Sequence, residues 1–213
     1  MKKIIILLLI ITSMFSISGQ GYCSEHQKNN DKEFVEKLNL LPETEENYVS
    51  RNTMLYTAVN MVAKDYYEEF SADETSPFAD LDANDSMYKI ADFALHRGIF
   101  NGRYSVDGKI LADLNSEATW KEVLIVSLRC LNSKLEPLSD EKIRWYASEL
   151  GLDDFEVERN NEIFKITDVL DEKVEYDEYC SFINEVLHTP YISYTYGGEL
   201  TKYLIDGFVN SEK

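Results

Sequence analysis

The residues best equipped for chemistry lie between Phe78 and Gly102, in FADLDANDSMYKIADFALHRGIFNG. Asp80, Asp82, Asn84 and Asp85 bring oxygen ligands together at the spacing of a cation loop. An EF-hand needs Gly at its sixth position for the sharp turn and a bidentate Glu at its twelfth. Those positions hold Asp85 and Ala91. The aspartates therefore read as turn ties, with Asp85 or Ser86 capping the helix that follows. His26, His96 and His188 are scattered, with no second ligand at metal spacing. Cys180 and His188 lie two turns apart on one helix, which is not a nucleophile–base arrangement. The chain has no G-x-S-x-G, no H-E-x-x-H and no Gly-rich phosphate loop. The expectation is a noncatalytic protein with no catalytic residues, no cofactor and no metal.

The elements that carry these residues are mostly helices separated by polar turns. Three segments align without gaps: SRNTMLYTAVNMVA from Ser50, TWKEVLIVSLRCLN from Thr119 and EYDEYCSFINEVLH from Glu175. The columns Met54/Val123/Tyr179, Leu55/Leu124/Cys180, Ala58/Ser127/Ile183, Met61/Cys130/Val186 and Val62/Leu131/Leu187 define one helical face. Ser50 and Thr119 are good N-cap types. A second set precedes them: EFVEKLNLL, DFALHRGIF and YASELGL. These align at Phe34/Phe93/Tyr146, Val35/Ala94/Ala147, Asn39/Gly98/Gly151 and Leu40/Ile99/Leu152. Each is an amphipathic helix stopped by Asn or Gly, residues that tolerate the left-handed C-cap.

The chain thus repeats a unit of helix, stop, polar loop and capped helix. The divisions are 33–70 (a truncated first unit), 71–134, 135–189 and a tail over 190–213. That tail reads as a loop, with Tyr191, Tyr194 and Tyr196, leading into a short final helix. Strand-like alternation is scarce. One tight hairpin is expected, from RYSV and KILA around Asp107-Gly108.

The middle unit resembles an S-layer homology (SLH) repeat. The resemblance rests on Phe78-Ala79-Asp80-Leu81, the helix Met87–Leu95, Gly98-Ile99-Phe100-Asn101-Gly102, Asp107-Gly108-Lys109-Ile110 and Ala118-Thr119-Trp120-Lys121-Glu122-Val123. The flanking units keep less: Val49-Ser50-Arg51-Asn52-Thr53-Met54 in the first, Gly151-Leu152 and Val174–Tyr179 in the third. The resemblance implies a mainly all-α fold, a pseudo-threefold trefoil with the three second helices as its central bundle. It also implies noncovalent binding to a secondary polysaccharide of a Gram-positive-type cell wall. The glycan-binding positions it implies are Arg51, Trp120 and Tyr176; only Arg51 keeps the arginine usual in the family. Asp80, Gly102 and Glu122 would serve as motif loop and helix-start residues, Asp80 by tying down its loop.

The N-terminus adds a location. Lys2 and Lys3, the apolar run Ile4–Ile11 and the small residues Ser16, Ser18 and Gly19 have the order of a secretory signal peptide over 1–23. An uncleaved anchor is the alternative, though the run is short for a bilayer span. Residues 24–32 are polar and read as disordered. The formal charge of −18 opposes nucleic-acid binding, which needs Lys and Arg to displace phosphate counterions. Cys130 and Cys180 either pair outside the cell or stay as buried thiols. The expectation is a secreted wall- or surface-associated protein that binds wall polysaccharide. Its alternative is an extracellular protein-interaction module on the same scaffold. Neither involves nucleic acid, nor a membrane once the signal is removed.

Overall fold

The computed structural model describes residues 25–44, 46–63, 67, 69–131, 139–195 and 198–209. The signal-peptide stretch 1–23, with Cys23, lies outside them. The fold is mainly helical, with three short antiparallel strand pairs. In chain order the elements are α1 (Glu25–Lys37), α2 (Arg51–Ala63), α3 (Tyr88–His96), β1 (Arg103–Tyr104), β2 (Ile110–Leu111), α4 (Trp120–Leu131), α5 (Asp140–Glu149), β3 (Glu156–Arg159), β4 (Glu162–Lys165), α6 (Tyr176–His188), β5 (Tyr191–Thr195), β6 (Gly198–Lys202) and α7 (Asp206–Val209). Among the described residues no helix is long and apolar enough to cross a membrane.

The aligned face of α2, α4 and α6 forms the core. Its columns are buried throughout, except for the half-buried Val62 and Cys130. The three helices touch one another. Cys130 on α4 reaches the Ala58 carbonyl on α2, Trp120 on α4 meets Phe182 on α6 edge-to-face, and the Tyr179 hydroxyl on α6 bonds with Thr57 on α2. Around them the first helices pack in cyclic order. α3 lies on α2, α5 on α4 and α1 on α6. Each first helix stops as its sequence predicts: Asn39, Gly98 and Gly151 have φ of 54°, 69° and 73°, and Leu40, Ile99 and Leu152 turn back into the core.

The chain entering each second helix is bound to the other two in a closed ring. The Val49 N–H donates to the Val174 carbonyl, Val174 to Ala118, and Ala118 to Val49, at 2.9, 3.2 and 2.7 Å. A second ring, one residue pair outward, runs Arg51 to Ser116, Trp120 to Glu172 and Tyr176 to Asn47 at 2.9–3.0 Å. These bonds satisfy N–H groups that a helix N-terminus otherwise leaves open.

Three expectations need correction. Of the stretch 24–32 expected to be disordered, residues 25–32 belong to α1, which is held to α6 by Lys32–Asp177 at 2.9 Å and by the Asn184 amide on Asp31. Polar composition misled because this helix is anchored by side-chain pairs along its polar face. Strands are also commoner than expected. The hairpin around Asp107-Gly108 forms, pairing Arg103 with Leu111 and Tyr104 with Ile110. A second hairpin joins β3 to β4 through Asn160 and Asn161, both at positive φ (55° and 66°). Where the tail is described, β5 and β6 pair antiparallel rather than forming a loop, before the short final helix α7; Tyr196 lies outside the described residues.

Cys130 and Cys180 are free thiols. Burial pushes both up to about 12, so neither is ionised near neutrality.

Candidate functional site

The acidic loop that opened the sequence question is internally satisfied. Asp80 accepts the N–H groups of Ala112 (2.7 Å) and Asp113 (2.8 Å), tying its loop to the strand of the β1–β2 hairpin that returns toward α4. Asp82 accepts the backbone and side-chain amides of Asn84, both at 2.8 Å. Asp85 accepts the Met87 N–H at 2.8 Å just before α3. These are turn ties.

Gly102 holds the other end of this arrangement. Its φ is +69°, and an added Cβ would sit 2.5 Å from the Leu111 carbonyl oxygen and 2.9 Å from Ile110 Cγ2. Only Gly lets the chain leave Ile99-Phe100 and pass this close to β2.

The three helix-start residues occupy equivalent places in the ring and meet different partners. Arg51 is 2% exposed. Its guanidinium donates to the Ala112 carbonyl through Nε (3.3 Å) and Nη2 (3.1 Å), and pairs through Nη1 with Glu122. Its plane lies over the Phe100 ring, 5.1 Å from the centroid. Burial pulls its pKa down, opposed by the Glu122 charge.

Glu122 also takes Arg103, at 3.1 Å to Nε and 2.8 Å to Nη2, while Arg103 reaches Asp113 at 2.5 Å. Two cations and two carboxylates thus cancel. The second Glu122 oxygen accepts the Thr119 N–H (3.2 Å), and Thr119 Oγ1 accepts the Glu122 N–H (3.4 Å). That reciprocal pair is a capping box, with Glu122 working at once as cap and as counter-ion. Ser50 caps α2 in the simpler way, its hydroxyl accepting the Thr53 N–H at 3.1 Å.

Trp120 is wholly buried, against Phe155 (5.9 Å) and Phe182 (5.5 Å). Its ring presents no face to a sugar, contrary to its expected place among the glycan-binding positions. Among the described residues its Nε1–H has no acceptor, and the site is built for apolar packing.

Tyr176 is 8% exposed, with the Lys32 ammonium 5.0 Å from its ring centroid. It borders an open recess of about 620 Å³, shared with Glu36, Asn39, Leu41, Pro42, Glu43 and Thr44. Burial and the surrounding carboxylates of Glu36, Glu46 and Asp177 raise the phenol pKa, so Tyr176 stays a neutral hydroxyl.

Sequence reasoning did not find Arg103, Asp113, Arg159 or Glu178. Arg159 grips Glu178 with two parallel bonds (2.8 and 2.9 Å) and Glu172 with a third (2.8 Å). The available signal was the spacing: Arg103–Glu122 and Arg159–Glu178 are both 19 residues apart. The same hairpin-to-helix ion pair therefore appears in two successive units.

No family model matches the chain, and no curated protein matches it.

Proposed function

We propose that the chain is an exported, noncatalytic cell-wall-binding module made of three SLH-like units, disposed as a pseudo-threefold trefoil around α2, α4 and α6. The wall polysaccharide is held where the third unit meets the first. The two closed rings of backbone bonds and the cyclic packing of the first helices support the threefold arrangement.

The single observation that carries the binding reading is the contrast among the three helix starts. Arg51 and Trp120 are sealed inside their junctions, whereas Tyr176 borders the 620 Å³ recess. The lining suits an uncharged sugar. Tyr176 offers aromatic edge and hydroxyl, Asn39 and Thr44 exchange hydrogen bonds with sugar hydroxyls, and Glu36 and Glu43 accept from them. The same carboxylates repel an anionic glycan, and Arg51 is already neutralised by Glu122.

Co-sedimentation of the mature protein with purified cell walls tests this. Retention in the pellet, reduced by Tyr176→Ala and insensitive to added salt, is expected. A protein that stays in the supernatant at every salt concentration overturns wall binding.

A second reading, a protein-assembly module, has its own support. Tyr104 (79% exposed) and Val106 on the first hairpin, and Ile163 (51%) on the second, stand out in solvent. Val106→Asp separates the two: it leaves wall sedimentation unchanged under the first reading and abolishes a protein partner's binding under the second.

A further inference from the structure

Asp92 on α3 is a fully buried carboxylate. Its Oδ2 accepts the Asp73 N–H at 2.9 Å. Among the described residues its Oδ1 accepts no well-formed hydrogen bond, and it points at the next turn of the same helix, 3.4 Å from His96 Nδ1. A buried carboxylate oxygen left without a donor is costly, and on this helix face it calls for a cation.

The neighbouring groups are arranged to hold one. His96 Nδ1–H donates to the Asp92 carbonyl at 3.0 Å. In the neutral imidazole that leaves the Nε2 lone pair free, and Nε2 stands 3.7 Å from Asp73 Oδ2. One ligand atom each from Asp73, Asp92 and His96 falls within 4.8 Å of the others. Fixing a ligand imidazole through its other nitrogen is the usual outer-shell device of metal sites. The Phe70 ring lies 5.6 Å from the imidazole and packs edge-on to Phe93, which limits rotation of His96. Asp73 is held by its N–H on Asp92 and by Tyr88, whose hydroxyl donates to the Asp73 carbonyl at 3.0 Å. Asp73 and His96 are both exposed at their outer edge, which leaves an entry path and room for a water ligand.

We propose that Asp73, Asp92 and His96 form a binding site for one divalent transition-metal ion of the zinc class. The donor set decides the class. One imidazole nitrogen with two carboxylates suits zinc and its neighbours, whereas calcium and magnesium take oxygen alone. Closure to bonds of about 2.0–2.2 Å brings Asp73 and His96, the two exposed members, toward the buried Asp92. The ion would clip the connection ahead of α3 onto that helix. The sequence reading found no second ligand for His96. The Asp92-x-x-x-His96 spacing places one a helical turn away, and the fold brings Asp73 from outside the helix.

Cobalt(II) serves as the optical probe, titrated into the metal-free full chain and then displaced with zinc. One equivalent of cobalt with visible absorption bands, released by one equivalent of zinc but not by a hundredfold excess of calcium, is expected. His96→Gln and Asp73→Asn should each weaken binding by about 10–100-fold, with far-ultraviolet circular dichroism unchanged because both side chains are surface-facing. His188→Gln should leave binding as it was. The proposal is overturned if His96→Gln binds as tightly as the native chain, or if calcium displaces cobalt at equal concentration. It is equally overturned if no stoichiometric binding appears, Asp92 and His96 then being an ion pair only.

Discussion

Arg51 and Trp120 hold the same place at two junctions of one backbone ring, yet they close those junctions by opposite means. At Arg51 the facing surface is a carbonyl and a carboxylate, so a fork of donors fits. At Trp120 the facing surface is Phe155 and Phe182, so a large apolar ring fits. The ring bonds set the backbone, and the neighbouring unit sets the chemistry. A helix-start position therefore cannot be assigned to ligand binding by residue type alone; the surface opposite must be open, as it is at Tyr176.

The sharpest way to break the comparison is to empty the apolar junction. Trp120→Ala should cost about 3–5 kcal/mol, because a fully buried indole leaves a cavity between α4 and α6. Trp120→Phe should cost clearly less, since it also removes an indole N–H that has no acceptor among the described residues. Urea denaturation followed by circular dichroism measures both. A Trp120→Ala loss below about 1 kcal/mol would mean that the ring does not bear on the core.

The charged junctions come next and differ between themselves. Arg159→Ala should cost about 3 kcal/mol, because Glu178 is 2% exposed and among the described residues keeps only Lys28, at 3.8 Å. Arg51→Ala should cost about 2 kcal/mol, less than Arg159→Ala although Arg51 is the more buried cation. The reason is that Glu122 retains Arg103 and its capping role after Arg51 is gone. The same denaturation experiment ranks them, and the reverse order would show that the Ala112 carbonyl, not Glu122, is the partner that matters. Arg51→Lys should recover only part of the loss, since an ammonium cannot span the carbonyl and the carboxylate in one plane.

Smaller effects are expected in the loops that lead to these junctions. Gly102→Ala should cost about 2 kcal/mol, from a positive φ and a contact with the Leu111 carbonyl. Gly108→Ala, at a φ of +79° but with nothing within 4 Å, should cost about 1 kcal/mol. Equal losses would remove the close approach of the chain to β2 as the reason for a glycine at 102.

The helical faces and their stops were legible because they depend on local period: the aligned positions of α2, α4 and α6 are buried, save the half-buried Val62 and Cys130. The β3–β4 hairpin was also present, in Asn160-Asn161 between alternating Val157 and Phe164, but it lay inside a chain dominated by helix signals. The fate of Arg51 was not legible. Its partners, Ala112 and Glu122, stand 61 and 71 residues away, and nothing local distinguishes an arginine that will be buried from one that will meet a ligand. The same holds for Asp73 and His96, which only the chain path ahead of α3 brings together.

The open junction gives the smallest stability effect and the cleanest functional one. Tyr176→Phe keeps the ring and removes the hydroxyl of a residue that lines the recess. Its stability change should stay within about 1 kcal/mol. If the recess holds a sugar through that hydroxyl, pelleting with purified walls should fall several-fold while the denaturation midpoint barely moves. Trp120→Phe, altered at the equivalent ring position but sealed from solvent, should do the opposite and lose stability without losing wall binding. Should the two variants behave alike in both assays, the distinction between a closed and an open junction fails, and with it the assignment of binding to the recess beside Tyr176.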